Sequence, residues 1–455
     1  MARHPWRAAG TNRAEACLAS LQELNSAVAV KVLTGALKPE TLAGFTIVVM
    51  VDASLDECIA CNNFCRAQSP PIKFIRADVR GVCGQIFADF GEGFVCNDVN
   101  GENPHSGIVA NITNDRQAVV TVPNDEQVEF GIGEWVSFKD VEGMPEINGG
   151  GPYKVVDTAM YNFKIDLDTT GFGTYQRKSM NKYGTVIEAK VPKELTFRSL
   201  AECAVAPDFS RDPNGMGGVF DFDKFGRPDL LHLIFLAIDD YVRETGALPA
   251  PHDLAAADKV VKLAQAAKTK TAAEVDIDET LVHKIARTCR AVLAPMCSIF
   301  GGIVGQEVAK AVSNKHHPVF QYVYLDAVEM LPDYQQSVAE EFLPMGSRYD
   351  AQISVLGRTF QGKLGAQKIF MVGCGALGCE LFKNFAMMGV ACGKEGSVTV
   401  TDDDVIEKSN LSRQFLFRNY NVGQVLVFCS YNLGHALTIM SCRASPWRPR
   451  RRSWA

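Results

Sequence analysis

These 455 residues lack most of the features that would assign a function at a glance. The chain does not open on a charged start followed by an apolar core, so no secretory leader is expected. Its 14 cysteines are scattered through apolar stretches, which predicts free thiols in a reduced setting and no disulfides. Zinc spacing is absent: Cys58, Cys61 and Cys65 fall at i, i+3 and i+7 of an expected helix, with no second Cys or His pair to complete a site, so they are expected to be buried. The net charge of -6 leaves no basic surplus, and no nucleic-acid partner is expected. The uncharged stretch 425–442 carries Ser430, Asn432, Gly434 and His435 and suits a bilayer poorly, so no membrane span is expected either. The eight histidines show no catalytic pairing, and His316 and His317 sit in a polar stretch.

What is present reads as several domains, about three by length. Residues 13–25 and 55–67 have helical patterning, while 28–33, 45–51 and 72–77 read as buried strands. That alternation predicts a parallel α/β sheet, without an opening strand and glycine turn. From residue 92 to 191 short β-rich runs (119–122, 135–138, 153–156 and 163–165) alternate with Gly, Pro, Asn and Asp turns, as in a small inserted β-barrel. Three amphipathic helical patterns follow. Leu230, Leu233, Ile234, Ala237, Ile238 and Tyr241 share one face of the first, Val260, Leu263, Ala264 and Ala267 one face of the second, and Leu281, Ile285, Cys289 and Val292 one face of the third. They predict a helical bundle, with 249–251 and 268–271 as links. A helix over 299–312 and a strand over 319–325 return the chain to the first sheet, and a new domain opens near Arg348. Residues 425–455 contain no Asp, Glu or Lys but five Arg and two Trp, and are expected not to pack on the rest.

The most informative segment runs from Lys368 to Arg418. An apolar strand leads into Gly373-Cys374-Gly375-Ala376-Leu377-Gly378, then a helix, then a second strand ending at Asp402. Glycines in such a turn let the backbone approach a phosphate, and the following helix N-terminus supplies free N–H groups. Asp402 lies 24 positions after the third glycine, close to the roughly 20 expected for an acid on a ribose hydroxyl.

The string that follows, Thr401-Asp402-Asp403-Asp404-Val405-Ile406-Glu407-Lys408-Ser409-Asn410-Leu411-Ser412-Arg413-Gln414-Phe415-Leu416-Phe417-Arg418, resembles the signature of the ubiquitin-activating E1 family. Asp78-Val79-Arg80-Gly81 and Arg348-Tyr349-Asp350 are similar to further E1 positions, and the resemblance runs from about Gly10 to Gln424. It implies incomplete Rossmann-like, ThiF/MoeB-type adenylation domains with an inserted β-barrel and a helical bundle. Residues 10–91 and 291–333 would be the later part of the inactive adenylation domain, 92–191 the first catalytic-cysteine half-domain, 192–290 the four-helix bundle, 348–424 the first part of the active adenylation domain, and 425–455 a non-homologous tail.

The resemblance also implies chemistry: ATP with Mg2+ adenylates the ubiquitin C-terminus, and a cysteine takes it as a thioester for an E2 conjugating enzyme. By the family's pattern Gly373, Gly375 and Gly378 form the nucleotide turn, Asp402 meets the ribose, Asp404 serves the metal and phosphates, and Asn410, Arg413 and Gln414 line the nucleotide, with Arg413 the phosphate cation. Ser412 stands where the family has Asn. The family's phosphate-binding lysine, magnesium-binding aspartate, catalytic cysteine and E2-recruiting domain have no counterpart in the sequence, nor has the arginine of the opening helix, so the chain is expected to be inactive. A monomer in the cytoplasm and nucleus is implied. Two alternatives remain: a non-catalytic, ubiquitin-binding E1 fragment, and an NAD-type oxidoreductase using the same glycine turn, though S-N-L-x-R-Q has no role in hydride transfer.

Overall fold

The computed structural model describes the chain apart from residues 1–9, 124–125, 177–182, 210–223, 225, 272–274, 335–337, 425–428 and 432–455. The described residues form two compact units. One comprises residues up to Asp89, Ser199–Gly305 and Gln321 onward; the other comprises Phe90–Arg198 and Gln306–Phe320.

The first unit opens with α1 (Arg13–Leu24), capped by the Asn12 side chain. The strand expected over 28–33 does not form: Val28 is 53% and Leu33 70% exposed, and β propensity without a neighbouring strand to pair with is not enough. Strand β1 (Ile47–Val51), helix α2 (Leu55–Arg66), and strands β2 (Lys73–Arg80) and β3 (Cys83–Asp89) follow. A reciprocal capping box of Ser54 and Glu57 starts α2, and Cys58, Cys61 and Cys65 are all buried on its inner face.

In the second unit β4 (Phe94–Cys96) begins the chain's passage through a β-rich region. Its strands are β5 (Ser106–Val109), β6 (Asn111–Ile112), β7 (Val119–Thr121), β8 (Trp135–Lys139), β9 (Tyr153–Thr158), β10 (Asn162–Ile165), β11 (Gly184–Glu188) and β12 (Lys193–Leu195). Seven of them form one sheet in the order β5-β11-β8-β9-β10-β7-β6. The chain bends between β5 and β6, where Ala110 N–H donates to Thr121 O at 2.7 Å, so one continuous segment pairs with β11 at one end and β7 at the other. The sheet is thereby nearly closed around Val120, Val136, Phe138, Val155, Phe163, Ile165 and Val186. Cys96 lies outside this barrel, in a two-stranded ribbon of β4 and β12.

The first unit resumes with α3 (Leu200–Val205), α4 (Arg227–Thr245), α5 (Leu254–Lys270) and α6 (Glu279–Thr288). The inner faces are those the periodicity predicts except at Val292, which is 50% exposed and lies beyond the end of α6, and α5 continues through Lys268–Lys270, part of the expected link. Helix α7 (Ala294–Ser313) leads to β13 (Gln321–Asp326). The sheet order is β1-β2-β3-β13, and only β1 and β2 run parallel; β2–β3 is a hairpin, and β13 pairs antiparallel with β3. The all-parallel expectation fails because the two-residue turn at Gly81-Val82, with Gly81 at φ +60°, admits no crossover.

Helices α8 (Asp350–Leu356) and α9 (Arg358–Gly365) precede β14 (Lys368–Val372), α10 (Ala376–Met388) and β15 (Ser397–Thr401). β14 and β15 are parallel, joined by the crossover helix α10. A last strand, β16 (Cys429–Tyr431), pairs antiparallel with β15 and so corrects the expectation that nothing after residue 424 packs; residues 432–455 lie outside the described residues.

Candidate functional site

The C-terminal end of β14 delivers the glycine turn. Gly373 N–H donates to Thr401 O at 2.9 Å, and its φ of +97° is open to glycine alone at little cost. A Cβ on Gly378 would lie 2.5 Å from Gly373 O, so only a hydrogen there lets the first turn of α10 close on the loop. Gly375 is the N-cap and offers no side-chain cap, which leaves the first amides of α10 without a side-chain acceptor. Space opens above it, where a Cβ would meet nothing nearer than Gln414 Nε2 at 3.7 Å.

Asp402 follows β15 and turns its carboxylate onto this loop. Oδ2 accepts the Cys374 N–H at 2.6 Å and Oδ1 accepts the Asp404 N–H at 3.0 Å. A carboxylate has about four lone-pair positions, so acceptor capacity remains for a hydroxyl. Asp404 itself is exposed and is tied to Asp402 through its backbone.

An apolar cluster holds the signature string against the turn. Cys374, Cys379, Ile406 and Phe417 are its buried members, with Phe382, Val400, Leu411, Phe415 and Leu416 packed on them. The string then folds on itself: Asn410 Oδ1 accepts Glu407 N–H at 2.8 Å, and Gln414 N–H donates to Asn410 O at 2.9 Å. Gln414 is buried and faces Gly375. Arg413 is exposed; its Nη1 donates to Ser409 O at 3.1 Å, and it lines a cleft of about 490 Å³ with Glu23, Glu380, Phe415 and Arg418. The geometry thus brings together the three glycines, Asp402 and Gln414. Asn410 serves the local fold, while Asp404 and Arg413 sit at the solvent side.

Sequence reasoning missed two contributors. The Cys374 amide, not only the glycines, fixes Asp402, and Arg418 joins Arg413 in the cleft while its Nε lies 3.4 Å from Glu23. The field of the α10 N-terminus does not make Cys374 a thiolate. A hydrogen bond shared with Cys379, then burial and the adjacent Asp402 charge, hold its proton firmly. Burial also pushes Cys58, Cys65 and Cys289 up to about 12 and raises Cys96 and Cys297. Among the described residues no group of three His, Cys, Asp or Glu is arranged to hold a metal ion, and no helix is long and apolar enough to cross a membrane.

Three family models match the chain: the ThiF family over residues 349–427, the ubiquitin-activating enzyme E1 FCCH domain over 115–190, and the ubiquitin-activating enzyme E1 four-helix bundle over 191–268. Ubiquitin-activating enzyme E1 1 of Arabidopsis thaliana is 48% identical over 418 residues, which cover 91% of this chain and 37% of that protein. Ubiquitin-activating enzyme E1 2 of Triticum aestivum is 48% identical over 417 residues, 91% of this chain and 38% of that protein. Ubiquitin-like modifier-activating enzyme 1 of Homo sapiens is 42% identical over 417 residues, again 91% and 38%. The chain therefore spans under two-fifths of the length of the curated relatives it matches.

Proposed function

Because the chain belongs to the ubiquitin-activating E1 family, we propose that the glycine turn, Asp402 and Gln414 form the nucleotide side of an ATP-dependent adenylation site. The observation that carries this reading is the meeting of an uncapped helix N-terminus, an oriented carboxylate and a buried amide above Gly375. ATP would supply the adenylyl group, and Mg2+ would stabilise charge on its phosphates. The amides of α10 bind and orient an anionic phosphate, Asp402 accepts a ribose hydroxyl, and Gln414 fixes the nucleotide against the turn. Arg413 lends its charge at the phosphate side. Asp404 is a single carboxylate, which suits Mg2+ only where phosphates complete its coordination.

The same reading assigns ubiquitin as the protein substrate and E2 conjugating enzymes as recipients of the thioester, for a monomer of the cytoplasm and nucleus. The described residues offer one metal carboxylate and Arg413 as the phosphate cation. Adenylation is electrostatic at heart, and one such contact is worth on the order of 3 kcal/mol. Titration of the chain with ATP and with NADH tests the assignment. ATP binding lost in Asp402→Ala supports it. Preference for NADH, or ATP binding indifferent to Asp402→Ala, overturns it.

A further inference from the structure

The bend at Ala110 that closes the barrel leaves the outer edge of β5 without a partner strand among the described residues. Glu188 N–H donates to His105 O at 2.8 Å, and the register pairs Gly107 with Val186 and Val109 with Gly184. Hydrogen-bonded pairs alternate along an antiparallel ladder, so Gly107 and Val109 use their backbone groups on β11 while Ser106 and Ile108 direct theirs to the other side. That side is a cleft of about 310 Å³ lined by Ser106, Ile108, Phe130, Glu126 and Glu129. Phe130 is buried and forms an apolar floor beside Gly107, where a Cβ would meet its ring at 3.6 Å. Among the described residues that line the cleft none is Lys, Arg or His, and Glu126 and Glu129 give it an acidic rim.

We propose that this edge takes a short, extended, Lys- or Arg-rich peptide segment as an added strand. The N–H and C=O groups of Ser106 and Ile108 supply the ladder, and Glu126 and Glu129 pair with the cations. The free edge is four residues long, Ser106–Val109, enough for a strand of about the same length at roughly 3.3 Å per residue. A second copy is the poorer occupant, because β5 against β5 would bring the same acidic rims together and like charges oppose pairing.

The test uses the full chain and a fluorescein-labelled peptide of alternating Lys and Val, read by anisotropy. Saturable binding is expected. Glu126→Lys combined with Glu129→Lys weakens it about tenfold or more. Ile108→Pro, which removes the outward N–H along with the Ile108 side chain, weakens it too, as does N-methylation of alternate peptide amides, which removes N–H groups alone. The peptide arm needs no protein variant and so does not depend on a variant folding. The proposal is overturned if the N-methylated peptide binds equally, which means bulk attraction to an acidic protein. It is overturned likewise if the double Glu variant binds normally, if no saturable binding occurs, or if sedimentation shows a dimer that the double variant dissolves.

Discussion

Replacing Arg76 by Met should be among the most damaging single changes in the first unit. Arg76 lies on β2, is 2% exposed, and holds two carboxylates: Nε is 2.8 Å from Asp78 Oδ2 and Nη2 is 2.9 Å from Asp239 Oδ2 on α4. Asp78 also accepts Gln85 Nε2 at 2.7 Å. The guanidinium therefore joins the sheet to the helical bundle. Methionine fills similar volume but takes the cation from Asp239 and leaves Asp78 only Arg80, whose Nη2 is 3.6 Å from Asp78 Oδ1, and breaking a buried pair in this way costs about 3–5 kcal/mol. Asp239→Asn leaves Arg76 its Asp78 partner and should cost nearer 1 kcal/mol. The pH dependence separates charge from packing. Burial already raises the Asp239 carboxyl above its ordinary range against the pull of Arg76. Without that pull it rises further. A carboxyl with a raised folded-state pKa stabilises the fold fully below its unfolded value near 3.9, and that contribution disappears as pH rises through the folded value. The deficit of Arg76→Met should therefore be smaller near pH 5 than near pH 7. Hydrogen exchange of β2 and α4 amides, which reads local opening in a chain of two units, gives both numbers. A loss below about 1 kcal/mol, or one equal at both pH values, would refute the reasoning.

Three further outcomes can be checked. His232 is buried between Tyr324 Oη at 2.8 Å and Ala204 O at 3.0 Å, and burial lowers its pKa to about 4, so stability should fall by about 3 kcal/mol as pH drops from about 6.5 to 4; a matching pH slope in His232→Gln would contradict this. Gly378→Ala should force the turn apart from Gly373 O at a cost of about 1–3 kcal/mol and speed amide exchange in α10, with unchanged exchange as the contrary result. With MgATP and ubiquitin, none of the chain's thiols should form a thioester, since most of those described are buried, burial raises Cys58, Cys65 and Cys96, and Cys379, whose thiol is shifted down, is wholly buried; a ubiquitin-sized band shift on a nonreducing gel, lost on reduction, would show otherwise.

How much of this was legible in the sequence depends on whether a feature is local. Helices α2, α4, α5 and α6 could be read because each carries its own apolar stripe and start signal, as with Ser54 and Glu57 at α2. The barrel strands could be read because turns bracket them. Residues 28–33 look like a strand but have no neighbour to complete a ladder, and pairing is a long-range property that β-branched composition cannot encode. Strand β3 went unread because its seven residues are all buried and show no alternation, and a buried run reads alike in parallel and antiparallel sheets. At the candidate site the same division holds. Gly373 and Gly378 announce themselves because one needs a positive φ and the other a missing Cβ, both fixed within the loop. The Asp402 bond to the Cys374 amide and the approach of Gln414 to Gly375 instead depend on Ile406 and Phe417 folding back onto Cys374 and Cys379. That packing turns a string of polar letters into one side of a pocket, so substitutions at Ile406 or Phe417 should disturb the site as much as changes to the polar residues it displays.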